Sequence, residues 1–262
     1  GCISRDSVKA IGTDVLFLSN TGVRSLMRTI QEKSLPFRDL SKNVRNDLMD
    51  IVSGEDLTKI KSVFSERNAF YLLTLPSVKQ IYCFDTRGQL QDGSVRVTVW
   101  NSIDPKSLCS RANGDLLFGK TGHVMKYTGY QDDGVAYRLQ YFTNYADLGN
   151  ISQTSVLKRI SVVVIGGTNQ YLTIKWAFDL TDNYLSDNAQ IPAQGIYEYG
   201  TAEYGSNGSP VAYYSNGQLI QTLTVSGTGT GKLVQTGYEA NINGAALSIQ
   251  KIEIQAKNGK LS

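Results

Sequence analysis

The sequence predicts an all-β chain, with partial β-propeller blades in its front part and a β-sandwich-like module behind them. Three observations carry that expectation. One hairpin pattern returns at a near-constant interval, Asx-Gly pairs recur along the chain, and the strand-like stretches alternate apolar with polar residues.

The repeat is clearest in residues 16–26, LFLSNTGVRSL, where an apolar run meets Asn20-Thr21-Gly22 and a Val-containing run follows. Residues 116–126, LLFGKTGHVMK, have the same form, with Thr121-Gly122 at the point equivalent to Thr21-Gly22. Between them lies AFYLLTLPSVKQIYCFD, residues 69–85, with Pro76-Ser77 as its corner. The corners fall roughly 50 residues apart, close to the period of propeller blades built from short strands. Three unrelated hairpins of a sandwich would leave the same trace. A phosphate-binding loop would not, because it needs several glycines and then a helix whose N-terminal amides face the anion. Gly22 stands alone before a strand-like run.

Turn chemistry supports β structure throughout. Asp92-Gly93, Asn113-Gly114, Asp133-Gly134, Asn207-Gly208, Asn216-Gly217, Asn243-Gly244 and Asn258-Gly259 are spread along the chain. Asn and Asp tolerate positive φ and Gly adopts it without a Cβ clash, so these pairs predict tight type I′ hairpins. Alternation is visible in SVRVTVW (94–100), YLTIKWAF (171–178) and SIQKIEIQAK (248–257). In the last, Ile252 and Ile254 share one face, with Lys251, Glu253 and Gln255 on the other. That is the pattern of an antiparallel sheet covered on one side.

Residues 41–64, SKNVRNDLMDIVSGEDLTKIKSVF, depart from this pattern and predict a small helical insertion. Val44, Leu48, Ile51 and Val52 fall at helical spacing, Ser41 is a fair N-cap and Gly54 a fair stop. A second short helix would present Leu57, Ile60 and Phe64. Residues 38–67 hold 6 basic and 6 acidic residues, so the insertion offers no phosphate-binding face. Near residue 140 the composition turns poorer in charge and richer in Thr, Gly and Tyr. The expected division is therefore residues 1–140 for the blades and 141–262 for the sandwich, with the boundary at about 135–145.

Bulk composition narrows the function classes. With 41% hydrophobic residues, 25 Gly and 5 Pro the chain has ordinary globular composition. Residues 1–140 carry 19 Lys/Arg against 15 Asp/Glu and the rest 7 against 8, with the signs interspersed. A nucleic-acid binder usually shows a basic stripe, which disfavours that class. Three Cys (Cys2, Cys83, Cys109), without a CxxC, and a single His argue against a disulfide scaffold and a zinc site. No apolar run of about 18 residues codes a membrane span, and no signal peptide is visible. The chain starts at Gly1 and enters a strand-like pattern at once, so it is expected to be the back part of a longer polypeptide.

Catalytic chemistry finds no foothold. Nucleophilic catalysis would need His123, which follows the Gly122 corner and reads as a hairpin side chain. Asp132-Asp133 is the best carboxylate pair, but neighbours at a hairpin tip seldom converge on one substrate, and the loop offers too few oxygens for Ca²⁺. No catalytic, cofactor-binding or metal-binding residue is therefore assigned, and the chain is read as no enzyme. Residues 197–205, YEYGTAEYG, with Tyr213 and Tyr214, form a Tyr cluster. It suits packing over a sandwich edge, a protein interface or a sugar site.

Several of these stretches resemble one family. GCISRDSV…GTDVLFLSNTGVRSL resembles a blade of the tail nozzle (stabilisation or tail accessory) proteins of short-tailed bacteriophages. AFYLLTLPSVKQIYCFDTR…VTVW is similar to that family's next blade, and GDLLFGKTGHVMKYTGYQDDG to the one after. TNYADLGNISQTSVLKRISVVV and the closing GTGTGKLVQTGYEANINGAALSIQKIEIQAKNGK resemble its sandwich-like tail end. The resemblance implies a structural virion protein in the phage tail, a nozzle, tube or head-to-tail adaptor subunit. Its partners would be further copies in a ring, commonly six-fold, and other tail or portal proteins. Genomic DNA would pass without sequence-specific binding, and no small-molecule substrate is implied. Two departures matter: the front half of a complete propeller is missing, and no individual site residue carries over. The alternative, motivated by the Tyr cluster, is a carbohydrate-binding or carbohydrate-cleaving β module used in host attachment.

Overall fold

The computed structural model describes residues 1–31, 39–148, 153–167, 169–191 and 220–259. Strands hold 53% of residues and helices 9%, so the class is all-β, with several antiparallel sheets and no closed barrel among the described residues. The chain divides into two compact units, Gly1–Thr128 and Gly129–Ser262.

The first unit is three antiparallel meanders. β1 (Lys9–Ile11), β2 (Asp14–Ser19) and β3 (Gly22–Ser25) form one sheet. A short helix α1 (Leu26–Gln31) follows, then α2 (Arg45–Ser53). β4 (Ser62–Ser65), β5 (Phe70–Leu75), β6 (Gln80–Asp85) and β7 (Arg96–Trp100) form the second sheet, and β8 (Ser107–Ser110), β9 (Leu116–Lys120) and β10 (His123–Lys126) the third. Every strand pairs with its neighbour in sequence. The second sheet is covered on both faces, which is why YLLTL in β5 is buried almost without interruption. Tyr71, Leu73, Leu75 and Phe84 pack with Leu16, Leu18 and Val23 of the first sheet and with Leu48 and Val52 of α2. Leu72, Ile81 and Cys83 pack on Leu116 and Phe118 of the third. Sheets stacked in chain order are the arrangement of successive propeller blades.

The repeat stretches are the hairpins β2–β3, β5–β6 and β9–β10, but the two Thr-Gly corners are not equivalent. Ser19 pairs with Gly22 around Asn20-Thr21, whereas Lys120 pairs with His123 around Thr121-Gly122, a shift of one residue. Gly22 is also tightly packed. Its φ is +133°, and a Cβ there would fall 2.2 Å from Ser41 Oγ. Ser41 Oγ accepts the Val23 N–H at 2.9 Å. Gly22 therefore serves a close approach between segments as well as a turn.

Two details of the helical insertion are corrected. Ser41 makes no cap bond. It precedes a single 3₁₀ turn, Lys42–Val44, and Val44 stands at the N-cap of α2. Gly54 closes α2 as expected, its N–H reaching Ile51 O and Val52 O. The second helix is absent: residues 57–59 turn, with the Thr58 N–H and hydroxyl both donating to Asp56 Oδ1. Phe64 then lies in β4, which pairs with β5, so strand pairing overrides the helical spacing of Leu57, Ile60 and Phe64. The Asx-Gly expectation also needs correction. Among the described residues, only Asp133-Gly134 has positive φ at both positions, +53° and +78°. At Asp92 and Asn113 the side-chain oxygen instead accepts the N–H two residues on, leaving Gly alone in the left-handed region. Asn207-Gly208 and Asn216-Gly217 lie outside the described residues.

The second unit is a β-sandwich. β11 (Tyr137–Phe142), β12 (Ala146–Asp147), β14 (Tyr171–Phe178), β15 (Leu185–Gln190) and β18 (Leu233–Ile242) form one sheet, ordered β11-β18-β14-β15 with β12 also on β18. β13 (Ser155–Gly166) is the spine of the other, flanked by β16 (Ile220–Ser226) and β17 (Thr230–Gly231) on one side and β19 (Leu247–Asn258) on the other. Ile160, Val162 and Val164 of β13 meet Leu172, Ile174 and Trp176 of β14 and Tyr238 of β18 in one core.

Two bulges set the β13–β19 register. Ile249 and Ile252 are an odd number apart, so strict alternation would send them to opposite faces. The register passes from Val163↔Lys251 to Val164↔Ile249, leaving Gln250 as an extra residue. All three isoleucines thereby pack on the core. Lys158 plays the same part between Leu157 and Ile160.

Candidate functional site

On the five-stranded sheet of the sandwich, alternation places Leu139, Leu172, Ile174, Tyr238 and Ala240 in the core. The residues between them point the other way and build a polar face in rows. Gln140, Glu239, Thr173 and Asn188 lie side by side across four strands. The next row is Phe142, Gly237, Lys175 and Ser186. On the other side, Arg138 pairs with Asn241 and Tyr171 with Gln190.

Charge is organised around Glu239. Its Oε1 accepts from Arg138 Nη2 and from Lys175 Nζ, each at 2.7 Å. Burial pushes the carboxyl pKa up, but the hydrogen bonds and charges of Lys175 and Arg138 outweigh it and hold the group below the usual glutamate range. Two cations on one anion leave the cluster with a surplus positive charge. Beside it, the Phe142 ring lies over Gly237 and meets Tyr184 edge-on, centroids 5.2 Å apart.

An open cleft of about 690 Å³ runs along this face, lined by Arg138, Gln170, Tyr171, Thr173, Glu239 and Asn241 among others. Asn169, at φ +61°, starts the wall. Its N–H donates to Ile191 O, and the Ile191 N–H donates to Gln170 O at 2.8 Å. The Gln170 side chain is 8% exposed, donates Nε2 to Ala245 O, and has no hydrogen-bond partner for Oε1 among the described residues.

The residues weighed from sequence fall elsewhere. His123 is exposed at the start of β10. Asp132 and Val135 close a tight backbone turn with Asp133 at its tip. Cys83 is buried and its thiol pushed up to about 12, chiefly by burial, while Cys2 and Cys109 are exposed. Among the described residues no group of three or more His, Cys, Asp or Glu could hold a metal ion. The Tyr cluster at 197–205, with Tyr213 and Tyr214, lies outside the described residues. Arg138, Lys175 and Glu239 were not singled out from sequence. Their signal was the polar half of the alternating strands YRLQYF, YLTIKWAF and YEANI, since an outward face rich in Arg, Gln, Glu, Thr and Asn is a surface with chemistry.

No family model matches the chain, and no curated protein matches it. Among solved structures, the chain is similar to a Bacillus thuringiensis Cry1Da tryptic core variant at 12% identity and a TM-score of 0.28. The match covers 97% of this chain and 42% of that one, so the chain spans less than half of its length.

Proposed function

We propose that the chain is a structural subunit of the tail of a short-tailed bacteriophage, of the nozzle, tube or head-to-tail adaptor kind. It assembles with further copies into a ring, commonly six-fold in the family it resembles, and genomic DNA passes through without sequence-specific contacts. The observation that supports this reading is the stacking of three sequence-local meanders. The three stretches that carry the family resemblance each supply the hairpin of one sheet, β2–β3, β5–β6 and β9–β10. Surfaces for assembly exist on the same unit, where Leu26, Met27 and Ile30 of α1 and Val99 and Val124 of the outer strands are exposed.

Electron microscopy of virions carrying a tagged copy tests the reading. Ring-shaped density at the tail bearing the tag is expected. Tag density at another place on the particle, or no incorporation at all, overturns it.

A further inference from the structure

We propose that the outer face of the sandwich's five-stranded sheet is a glycan-binding site, with the cleft beside Glu239 as its seat. This goes beyond the structural role above and does not depend on it. The cleft has the volume of an ordinary small-ligand site, about 300–1,000 Å³. Its lining mixes four amides, a hydroxyl, a guanidinium and a carboxylate with the Tyr171 ring and two alanines. An apolar ligand would strip these groups of water and return no hydrogen bonds. A phosphate would meet the Glu239 carboxylate, and a nucleic-acid strand would find a single surplus cation in place of a basic track.

A pyranose ring satisfies the whole set. Each of its hydroxyls both donates and accepts, and the face supplies both kinds of partner. Arg138 offers guanidinium N–H groups. Glu239 uses Oε1 for its two cations, while Oε2 takes no hydrogen bond among the described residues. Asn241 in the cleft lining and Gln140 in the neighbouring row each present an amide, a donor and an acceptor together. Tyr171, 59% exposed at the edge of the cleft, presents a flat apolar ring to the C–H face of a sugar.

Gln170 stands in the wall of the cleft. Buried polar atoms are nearly always paired, yet its Oε1 is buried and without a partner in the cleft wall. Its amide cannot swap ends to escape, because Nε2 is committed to Ala245 O. The ion cluster fixes Arg138 and Glu239 in place beforehand, which lowers the ordering cost of binding.

The test is a glycan array of neutral and carboxylated oligosaccharides probed with the full 262-residue chain, followed by calorimetry on each hit. Binding to a defined subset is expected. Tyr171→Ala and Asn241→Ala, both exposed in the cleft lining and so safe for folding, should each weaken it at least tenfold with the thermal midpoint unchanged. Glu239→Gln should weaken binding as well, with the thermal midpoint lowered by no more than about 4 °C. A flat array at millimolar glycan overturns the proposal. So does binding that survives all three substitutions, or a hit displaced by single-stranded DNA. None of these outcomes bears on the tail reading, which microscopy decides.

Discussion

The two units solve the same problem, burying apolar strand faces, by opposite routes. In the first unit each strand pairs only with sequence neighbours of its own sheet, and each sheet is complete within a few dozen residues. In the second the pairings reach across the unit: β11 with β18, β14 with β18, and β13 with both β16 and β19. Local pairing needs little loop closure before contacts repay it, whereas long-range pairing needs much. The first unit is therefore assembled from parts that each make sense alone. Among the described residues, the second has no strand pair, apart from β14–β15, that forms without a long crossing.

Folding kinetics should break or sharpen this contrast most. Pulse-labelled hydrogen exchange during refolding is expected to protect residues 9–126 about tenfold or more faster than 137–258, following the difference in contact order. Equal rates would show that the long pairings of the sandwich are pre-organised.

A second test is Trp176→Ala. The side chain is 2% exposed and its indole N–H donates to Thr228 O at 2.8 Å. Its loss should cost about 3–5 kcal/mol. Native-state exchange should show weakened protection in the sandwich strands and none in β1–β10. Spread of the effect into the first unit would show that the two stability units are one.

Smaller is Gly237→Ala. A Cβ there would fall 2.2 Å from Phe142 Cε1, so the ring must leave its place against Tyr184. A loss of about 1–3 kcal/mol in urea unfolding is expected.

Smallest is the pH effect of Glu239, no more than about 1 kcal/mol because Arg138 is more than half exposed. Its folded pKa is depressed, so its contribution is complete above the ordinary glutamate value. It fades as pH falls below that value toward the depressed one. Wild type should lose stability relative to Glu239→Gln in that acid window and differ from it constantly above.

The contrast also explains what was legible in the sequence. Hairpins were readable because their turn residues and flanking strands are contiguous. The corners at Gly22, Pro76-Ser77 and Gly122 each lie at a real β-hairpin. What failed there failed through contacts from afar. Ser41 serves β3 and caps nothing, and β5 draws residues 62–65 into a strand. In the sandwich the alternation of β14 and β19 was visible, but their partners were not. The odd spacing of Ile249 and Ile252 could not be resolved without the bulge at Gln250. The cleft was hidden for the same reason. Arg138, Lys175 and Glu239 are far apart in the chain, and only the pairing of β11, β18 and β14 brings them together.

The two tryptophans fall one to each unit. Trp100 is half-buried at the end of β7, stacked at 5.7 Å on Tyr127 with Phe70 against its edge. Trp176 is sealed in the sandwich core. The molecule thus comes with its own pair of optical reporters. The sealed indole should emit toward the blue and resist quenching by iodide, and the stacked one should emit further to the red and collect energy from its neighbouring tyrosine. Replacing either by Phe leaves a single-colour probe of the other half, so the separateness of the two units can be watched by light alone, with no label attached.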